Sequence, residues 1–269
     1  MVHDVPDGVP VVGRAAYRSR EPTATVHSLI DVVNSLFQGL LTADEVGDRP
    51  LVHYYLDYYV SQVLTGGHSQ FLANSLGVNA ARIMTLVQQG IEHLAVAPAR
   101  DIWGRFVAAA TALSPDELDA FVRGYVDEQG FHVLGPLRAL DSEFRAGVAS
   151  ALEQANAHWL RGRPELVVLD DADLPRYAAV RSARIPNLSE RQREARAQEP
   201  SFVQAARAYC DERGLNFEQV CAGKPAVVDG VDVIDWAFLA DRRLFSLIEL
   251  PDGRVQVTEL SRRTRHGSF

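Results

Sequence analysis

Residues 51–77, LVHYYLDYYVSQVLTGGHSQFLANSLG, decide how the first part of the chain folds. Apolar residues at helical spacing follow Pro50, and proline is favoured as the first residue of a helix. Gly66 and Gly67 end that helix, and a second, shorter helix begins close to His68. The stretch therefore predicts two helices joined by a tight bend.

The sequence outside this stretch predicts a mainly α protein. Apolar residues recur at helical spacing before and after it, and Ser114, Pro115 and Glu117 form a capping box that starts a further helix. Beyond Pro225 the pattern becomes that of strands, and a Pro-Asp-Gly turn ending at Gly253 separates the last two. We expect a helical bundle core and a small C-terminal α+β unit containing an antiparallel hairpin or three-stranded sheet.

The changes in composition divide the chain into four parts. Residues 1–22 contain prolines and no periodicity, which predicts a flexible N-terminal arm. Residues 23–180 form the predicted helical domain. Residues 181–200 are rich in Arg, Glu and Gln and form a linker or an exposed helix. Residues 201–269 form the predicted α+β domain.

The composition is that of a globular protein, with 47% hydrophobic and 23% charged residues. The sequence has no apolar run long enough to span a bilayer and no signal-peptide pattern, so we expect a cytoplasmic protein that does not bind a membrane. Net charge is −8, and residues 1–176 hold 22 acidic residues against 13 arginines. This balance disfavours direct nucleic-acid binding and is compatible with a basic protein partner.

The motifs of common enzyme classes are missing. The sequence has no GxxxxGK[ST] or GxGxxG phosphate loop, no GxSxG elbow and no HExxH metal motif. Its two cysteines, Cys210 and Cys221, form no CxxC and are expected to be ordinary thiols, although a disulfide between them stays open. The sequence therefore nominates no catalytic residue and no cofactor, and it favours a protein that is not an enzyme.

The Gly66–Gly67 bend carries the most unusual polar residues. A functional interpretation places His68, Gln70 and Asn74 in a small polar pocket beside the glycines, with Ser75 completing the motif. A structural interpretation is that the glycines permit the bend while Gln70 and Asn74 satisfy its loose backbone groups. The structural interpretation is favoured.

A second cluster consists of Asp170, Asp171 and Asp173. Three carboxylates within four residues are a weak candidate for a divalent metal site. The sequence lacks the glycine and distal glutamate of an EF-hand loop, so a solvated turn is the favoured interpretation.

The residues around the glycine bend resemble the hallmark of the bacterial DNA-mimic-protein-like family, whose pattern is close to E-V-x-N-G-G-F-x-Q-Y-F-x-N-S-x-G. The family pattern is matched at Val63, Gly66, Gly67, Gln70, Phe71, Asn74, Ser75 and Gly77. Thr65, His68 and Leu72 depart from it. The likeness extends over roughly residues 28–170 and leaves out the C-terminal third.

This resemblance implies an all-helical core and, for the member that gave the family its name, binding of a transcription regulator by imitating the charge of DNA. Duplex DNA presents one charge per about 1.7 Å of its axis, so a mimic needs rows of unpaired carboxylates. The 13 arginines dilute the acidic residues here. A local acidic binding face is still predicted at Asp116, Glu117, Asp119, Asp127 and Glu128.

The leading hypothesis is a non-enzymatic protein-binding module, with a regulatory role as one version and DNA mimicry as a minority version. A protein partner is expected, and the C-terminal unit could also form a homodimer. Two alternatives stay open: an enzyme of unrecognised type with a pocket near the glycine bend, and an immunity or antitoxin-like protein.

Overall fold

The computed structural model of the protein describes residues 2–76, 79–124, 126–127, 130–131 and 134–260. Its internal contacts divide the chain into two compact units, Met1–Pro186 and Asn187–Phe269. We call these the N-terminal unit and the C-terminal unit. The first is mainly helical and the second combines helices with an antiparallel sheet, which confirms the predicted fold class.

The N-terminal unit contains most of the helices and four short strands. The helices are α1 (Arg14–Arg18), α2 (Thr23–Gln38), α3 (Ala43–Val46), α4 (Asp48–Ser75), α5 (Ala80–Leu94), α6 (Ala97–Thr111), α7 (Pro115–Arg123), α8 (Gly135–Glu143), α9 (Ala149–Arg161) and α10 (Leu174–Ala183). The strands are β1 (Val11–Gly13), β2 (Val126–Asp127), β3 (Gly130–Phe131) and β4 (Val167–Leu169). A single π-helical turn, Phe144–Val148, joins α8 to α9.

Helix α4 is the centre of the N-terminal unit, and it packs against α2, α5, α8 and α9. Its apolar face is fully buried, with Leu51, Leu56 and Val63 all inaccessible to solvent. On α2 the apolar stripe of the sequence becomes the face turned to this core, since Leu29 and Val33 are buried. Burial of these side chains is the main source of stability of the bundle.

The prediction of a flexible arm at residues 1–22 is wrong. β1 pairs in parallel with β4, Val11 lying opposite Val167, and Val12 is completely buried. Arg161 donates from its guanidinium to the carbonyl oxygens of Ala16 and Ser19 and so holds the following turn. A three-residue strand is too short for its alternation to be recognised, which is why the sequence pattern missed it.

The C-terminal unit is an antiparallel sheet with a helix on one face. It contains α11 (Leu188–Ala197), α12 (Ser201–Arg213), β5 (Phe217–Val228), β6 (Val231–Ala240), β7 (Arg243–Glu249) and β8 (Val255–Leu260). The strands lie in the order β5-β6-β7-β8. The α12 residues Ala206 and Cys210 pack with Phe238, Phe245 and Leu247 in a small core.

The sheet has four strands, where the sequence predicted a hairpin or three strands. β5 was missed because Gly223, Lys224 and Pro225 are residue types depleted in strands. Proline is tolerated in an edge strand, which is where β5 lies. The turn between β7 and β8 follows the prediction, since Gly253 has a φ of 81°.

Candidate functional site

Gly66 and Gly67 bend α4 as the sequence predicted. Gly66 has φ −134° and ψ 17°, and Gly67 has φ 77° and ψ 179°, so neither continues the helix. Gly67 needs glycine for two reasons: its φ is positive, and a Cβ there would overlap with the carboxylate of Asp141. The bend therefore brings the main chain against α8 more closely than any other residue type allows.

Asp141 ties the bend to α8. Its Oδ1 accepts a hydrogen bond from the main-chain N–H of His68 at 2.8 Å and lies 2.6 Å from Nδ1 of the same residue. An ionised carboxylate only accepts, so Nδ1 of His68 carries the proton of this bond. One aspartate thus fixes both the main chain after the glycines and the orientation of the imidazole.

Tyr59 completes this buried group of three side chains. Its hydroxyl lies 2.9 Å from Nε2 of His68, which in the neutral ring accepts the hydrogen bond. Burial raises the pKa of Tyr59 far above its usual value, so the hydroxyl keeps its proton and donates it. Tyr59 and His68 are completely inaccessible and Asp141 is 6% exposed. An Asp–His–Tyr arrangement sealed in this way is a packing device, because no substrate atom can reach it.

The predicted polar pocket of His68, Gln70 and Asn74 does not form. His68 points into the core, where it lies against the rings of Phe106 and Phe144. Gln70 and Asn74 instead each donate from the side-chain amide to Oε1 of Gln62, at 2.8 Å. Because Gln62 precedes the glycines, these bonds link the two halves of the bent helix on its outer side.

Two further contacts at the bend could not be read from the motif. Arg145 donates to the carbonyl oxygen of Val63 at 3.0 Å and so satisfies a carbonyl freed by the break in the helix. Ser69 accepts from the main-chain N–H of Leu134 at 3.0 Å. Ser75 is buried near the end of α4. In both contacts the two partners lie more than 60 residues apart in the sequence. The local sequence indicates only that two glycines leave main-chain carbonyls of the helix without their usual hydrogen bonds.

Four surface pockets of the described residues lie elsewhere. The largest has a volume of about 990 Å³ and lies in the N-terminal unit, between the start of α2 and α9, with Thr23, Gln154 and His158 among its lining residues. None of the four is lined by a residue of the glycine bend.

The predicted acidic face falls on α7 and the segment after it. Asp116, Glu117 and Asp119 are exposed, but Glu117 belongs to the capping box with Ser114 and Asp119 pairs with Arg123. Within the described part of the chain, the Asp116 carboxylate has no partner. The side chain of Asp127 and all of Glu128 lie outside the described residues.

Arginines neutralise several other carboxylates of the N-terminal unit. Arg82 pairs with Asp44 and Asp48, and Arg105 pairs with Asp101 and Glu143. Asp57 is different, since burial raises its pKa and it lies on the packed side of α4. Ion pairs with arginine therefore offset part of the acidic charge on the described surface.

The Asp170, Asp171 and Asp173 cluster holds the N-terminal segment in place. Asp170 forms an ion pair with Arg14, and Oδ2 of Asp171 accepts from the N–H of Ala15 at 3.1 Å, at the start of α1. The described residues contain no group of three His, Cys, Asp or Glu side chains placed to hold a metal ion. The carboxylates are used to fasten a segment that the sequence had left as an arm.

A second buried histidine was not predicted as special. Nδ1 of His53 lies 2.7 Å from Oδ1 of Asn156, whose Nδ2 donates to the main-chain oxygen of His53 at 3.2 Å. Nε2 of His53 is buried and has no hydrogen-bond partner among the described residues. Burial lowers the pKa of His53 to about 4. Trp159 stacks between this ring and that of His93.

The two cysteines are free thiols in the C-terminal unit. Cys210 is buried against the sheet and Cys221 is exposed on β5. Burial raises the pKa of the Cys210 thiol.

The match to known families falls on the bent helix and its neighbours. Residues 48–163 match the family model described as DMP19-like protein. This region resembles the DMP19-like family. The resemblance seen in the glycine motif is thereby confirmed, over fewer residues than the sequence suggested. The matched region covers less than half of the 269-residue chain and ends before the C-terminal unit.

Other comparisons add no relative. No curated protein and no solved structure matches the chain significantly. Over the residues that the structure describes, helices long and apolar enough to cross a bilayer are not found.

Proposed function

We propose that the protein is a non-enzymatic protein-binding module whose DMP19-like region carries the binding surface. The observation that carries this proposal is how the glycine bend is held: Asp141 and Tyr59 both bond to His68 inside the core, next to the motif residue Gly67. These bonds and the two motif glycines thus maintain the shape of a bent helical platform. The family match over residues 48–163 is consistent with a role in binding a protein.

The enzyme alternative finds no support at the glycine bend. A general acid or base must come within hydrogen-bond reach of its substrate. The imidazole of His68 has both nitrogens engaged and is completely buried, while Gln70 and Asn74 bond to Gln62. These residues therefore maintain the bend and offer no open reactive group.

DNA mimicry remains a minority version of the proposal. A mimic of duplex DNA would need regularly spaced, unpaired carboxylates. Arg82, Arg105 and Arg123 each neutralise acidic neighbours on the described surface. We therefore expect a basic protein partner that contacts a local acidic face rather than one that reads the whole module as a duplex.

The most direct candidate for that face is α7. Asp116 and Asp119 are exposed three positions apart, so their side chains lie on the same side of the helix. Glu117 belongs to the capping box of α7, so a substitution there would also destabilise the helix. Its effect on binding could then not be separated from its effect on stability. The two free thiols fit a reducing compartment, which favours a cytoplasmic location.

The test compares capture of partners from a lysate of the source organism by three immobilised full-length proteins. These are the wild type, the Asp116→Asn/Asp119→Asn variant and the matched control Asp31→Asn, which removes an exposed charge on α2. We expect one stoichiometric partner on the wild type and the control, and at least about tenfold weaker retention on the double variant, as loss of charged contacts predicts. Melting curves verify that all three are folded.

The mode of elution separates the two versions. Release of a basic partner by duplex DNA would support mimicry, whereas release by salt alone would keep the binding module and discard mimicry. If the wild type captures no stoichiometric partner, the proposal is wrong. Equal retention by the double variant would remove α7 as the binding face.

A further inference from the structure

The two edges of the C-terminal sheet are built differently. β5, at one edge, contains Lys224 and Pro225, and its pairing with β6 is interrupted by register shifts near Phe217 and Val220. Lysine, proline and bulges are the features with which natural proteins keep an edge strand from pairing with another chain. β5 therefore carries three separate protections against edge-to-edge association.

β8, at the other edge, has none of these protections. Its sequence is VQVTEL, without proline or lysine, and it pairs with β7 in continuous register from Val255 to Leu260. Val255 is 43% exposed and Leu260 is 41% exposed. Within the described residues, no strand pairs with its other side. A regular and open edge strand with exposed apolar side chains is a template for a further strand.

The hydrogen-bonding groups on the open side of β8 can be assigned from the turn. The N–H of Leu250 donates to the carbonyl oxygen of Arg254 at 2.8 Å, so these two residues form a hydrogen-bonded pair. Because such pairs alternate along antiparallel strands, Gln256 and Thr258 face β7. The main-chain groups of Val255, Val257 and Glu259 then point away from the sheet.

A groove runs beside the same edge, between β8 and α12. Its volume is about 490 Å³, and Ala205, Ala208, Tyr209, Val255 and Val257 supply its apolar walls. The only charged lining residues, Glu212 and Arg213, lie 3.4 Å apart and form an ion pair. The guanidinium of Arg213 also stacks on the ring of Tyr209. The described lining of the groove therefore has no net formal charge and does not repel an added strand.

We propose that β8 is the dimerisation edge of this protein, pairing antiparallel with β8 of a second copy to form one continuous sheet. β8 of a second copy supplies a regular strand of the same length, and its Val255 and Val257 lie on the α12 side. A two-fold axis at Val257 sets Val255 opposite the partner's Glu259 and Gln256 opposite the partner's Thr258. No like charges meet in this register, which removes the usual electrostatic penalty of self-pairing.

The proposed β8–β8 contact also leaves the ion pair of Glu259 intact. Glu259, which would lie in the new interface, is bound by Arg243 of its own sheet, so the dimer brings in no unpaired carboxylate. Six residues and one groove make a small contact compared with the roughly 800 Å² per partner of a standard interface. We therefore expect a dimer that dissociates on dilution. The surface lies outside the region matched by the family, so this proposal does not depend on the proposed function.

The test is sedimentation velocity of the full-length protein over a wide range of concentrations. Val255→Lys places a charge on the open edge, and Val255→Pro removes an outward N–H without touching the bonds to β7. The matched control is Val227→Lys, the same change at a 67% exposed position on the protected β5 edge. We expect a concentration-dependent dimer for the wild type and the control, and a dissociation constant raised about tenfold or more by either Val255 variant.

Three outcomes would overturn the proposal. The wild type could stay monomeric at the highest concentration, which would show that β8 does not pair with a second copy of the protein. Dimerisation could be unchanged in both Val255 variants, or it could weaken equally in Val227→Lys. Circular dichroism and melting curves establish that each variant is folded, and the two different substitutions at Val255 separate a loss of strand pairing from a misfolded sheet.

Discussion

The bend at Gly66–Gly67 and the region around His53 lie on the same helix, and each buries a histidine completely. At the bend, His68 has a partner for both ring nitrogens, Asp141 on one side and Tyr59 on the other. In the second region Asn156 occupies Nδ1 of His53, and Nε2 has no partner among the described residues. Two equally buried histidines thus differ in their hydrogen bonds: both ring nitrogens of His68 have a partner, whereas only one ring nitrogen of His53 has one among the described residues.

This difference shows what holds each region together. At the bend, a carboxylate is buried only because it accepts two hydrogen bonds from His68, and removing it leaves both donors unpaired. His53 bonds to the neutral amide of Asn156, and the ring stays neutral because burial disfavours its protonated form. We therefore expect the bend to respond most to mutation and the His53 region to respond most to acid.

The largest effect is expected for Asp141→Ala. The substitution leaves the main-chain N–H and the Nδ1–H of His68 without an acceptor in the core, and it breaks the contact that closes the glycine bend. A buried donor left without an acceptor costs about 1–3 kcal/mol, so the loss of both bonds is expected to cost about 2–6 kcal/mol. Urea unfolding of the wild type and the variant at pH 7 measures the difference in the free energy of unfolding.

Glu143→Ala is the matched control for this comparison. Glu143 lies two residues further along the same helix, but it is at the surface and pairs with Arg105. Exposed ion pairs contribute about 0–1 kcal/mol, so the control should stay close to the wild type. Similar losses for both variants would show that the buried bonds of Asp141 are no stronger than a surface pair.

The second effect is a loss of stability in acid caused by His53. Its pKa is about 4 in the folded protein and about 6.5 in the unfolded chain, so the unfolded state binds more protons between these values. The contribution of neutral His53 is complete above pH 6.5 and is lost as the pH falls towards 4. With 1.36 kcal/mol per pKa unit, the loss at pH 4.5 is about 2–3 kcal/mol.

The double variant His53→Leu/Asn156→Leu isolates this contribution. It removes the titrating ring together with the amide that would otherwise lose its partner. Between pH 7 and pH 4.5 its free energy of unfolding should fall by about 2–3 kcal/mol less than that of the wild type. His158→Ala, which removes an exposed imidazole, should follow the wild type. Equal acid sensitivity of the double variant and the wild type would rule out His53 as the source.

The two regions also show how far the sequence can be interpreted. Two adjacent glycines interrupt a helical pattern locally, so the bend at Gly66 and Gly67 could be predicted. Asp141 lies 73 residues from His68, and Asn156 lies 103 residues from His53. Such partners are chosen by how the helices pack, and helical periodicity does not specify which polar residue on one helix meets which on another.

Short elements and edge strands set the other limit. The helices and the turn at Gly253 have strong local signals, whereas β1 is three residues long and β5 contains Gly223, Lys224 and Pro225. The acidic cluster at Asp170 and Asp171 was interpreted as a solvated turn or a weak metal site because its partners, Arg14 and Ala15, belonged to the supposed arm. An error about one segment thus carried over to the residues that bind it.

The smallest expected effect sharpens the comparison between the two histidines. Tyr59→Phe keeps the ring that packs against Phe71 and Phe144 but removes the hydroxyl that donates to Nε2 of His68. In the variant, Nε2 of His68 is buried without a hydrogen-bond partner, as Nε2 of His53 is in the wild type among the described residues. A lost hydrogen bond of this kind costs about 1–2 kcal/mol, measured by urea unfolding at pH 7. Tyr17→Phe, at a 39% exposed position, should change stability by no more than about 0.5 kcal/mol. If Tyr59→Phe is as stable as the wild type, then the second hydrogen bond of His68 does not stabilise the fold, and the bend depends on Asp141 and the two glycines alone.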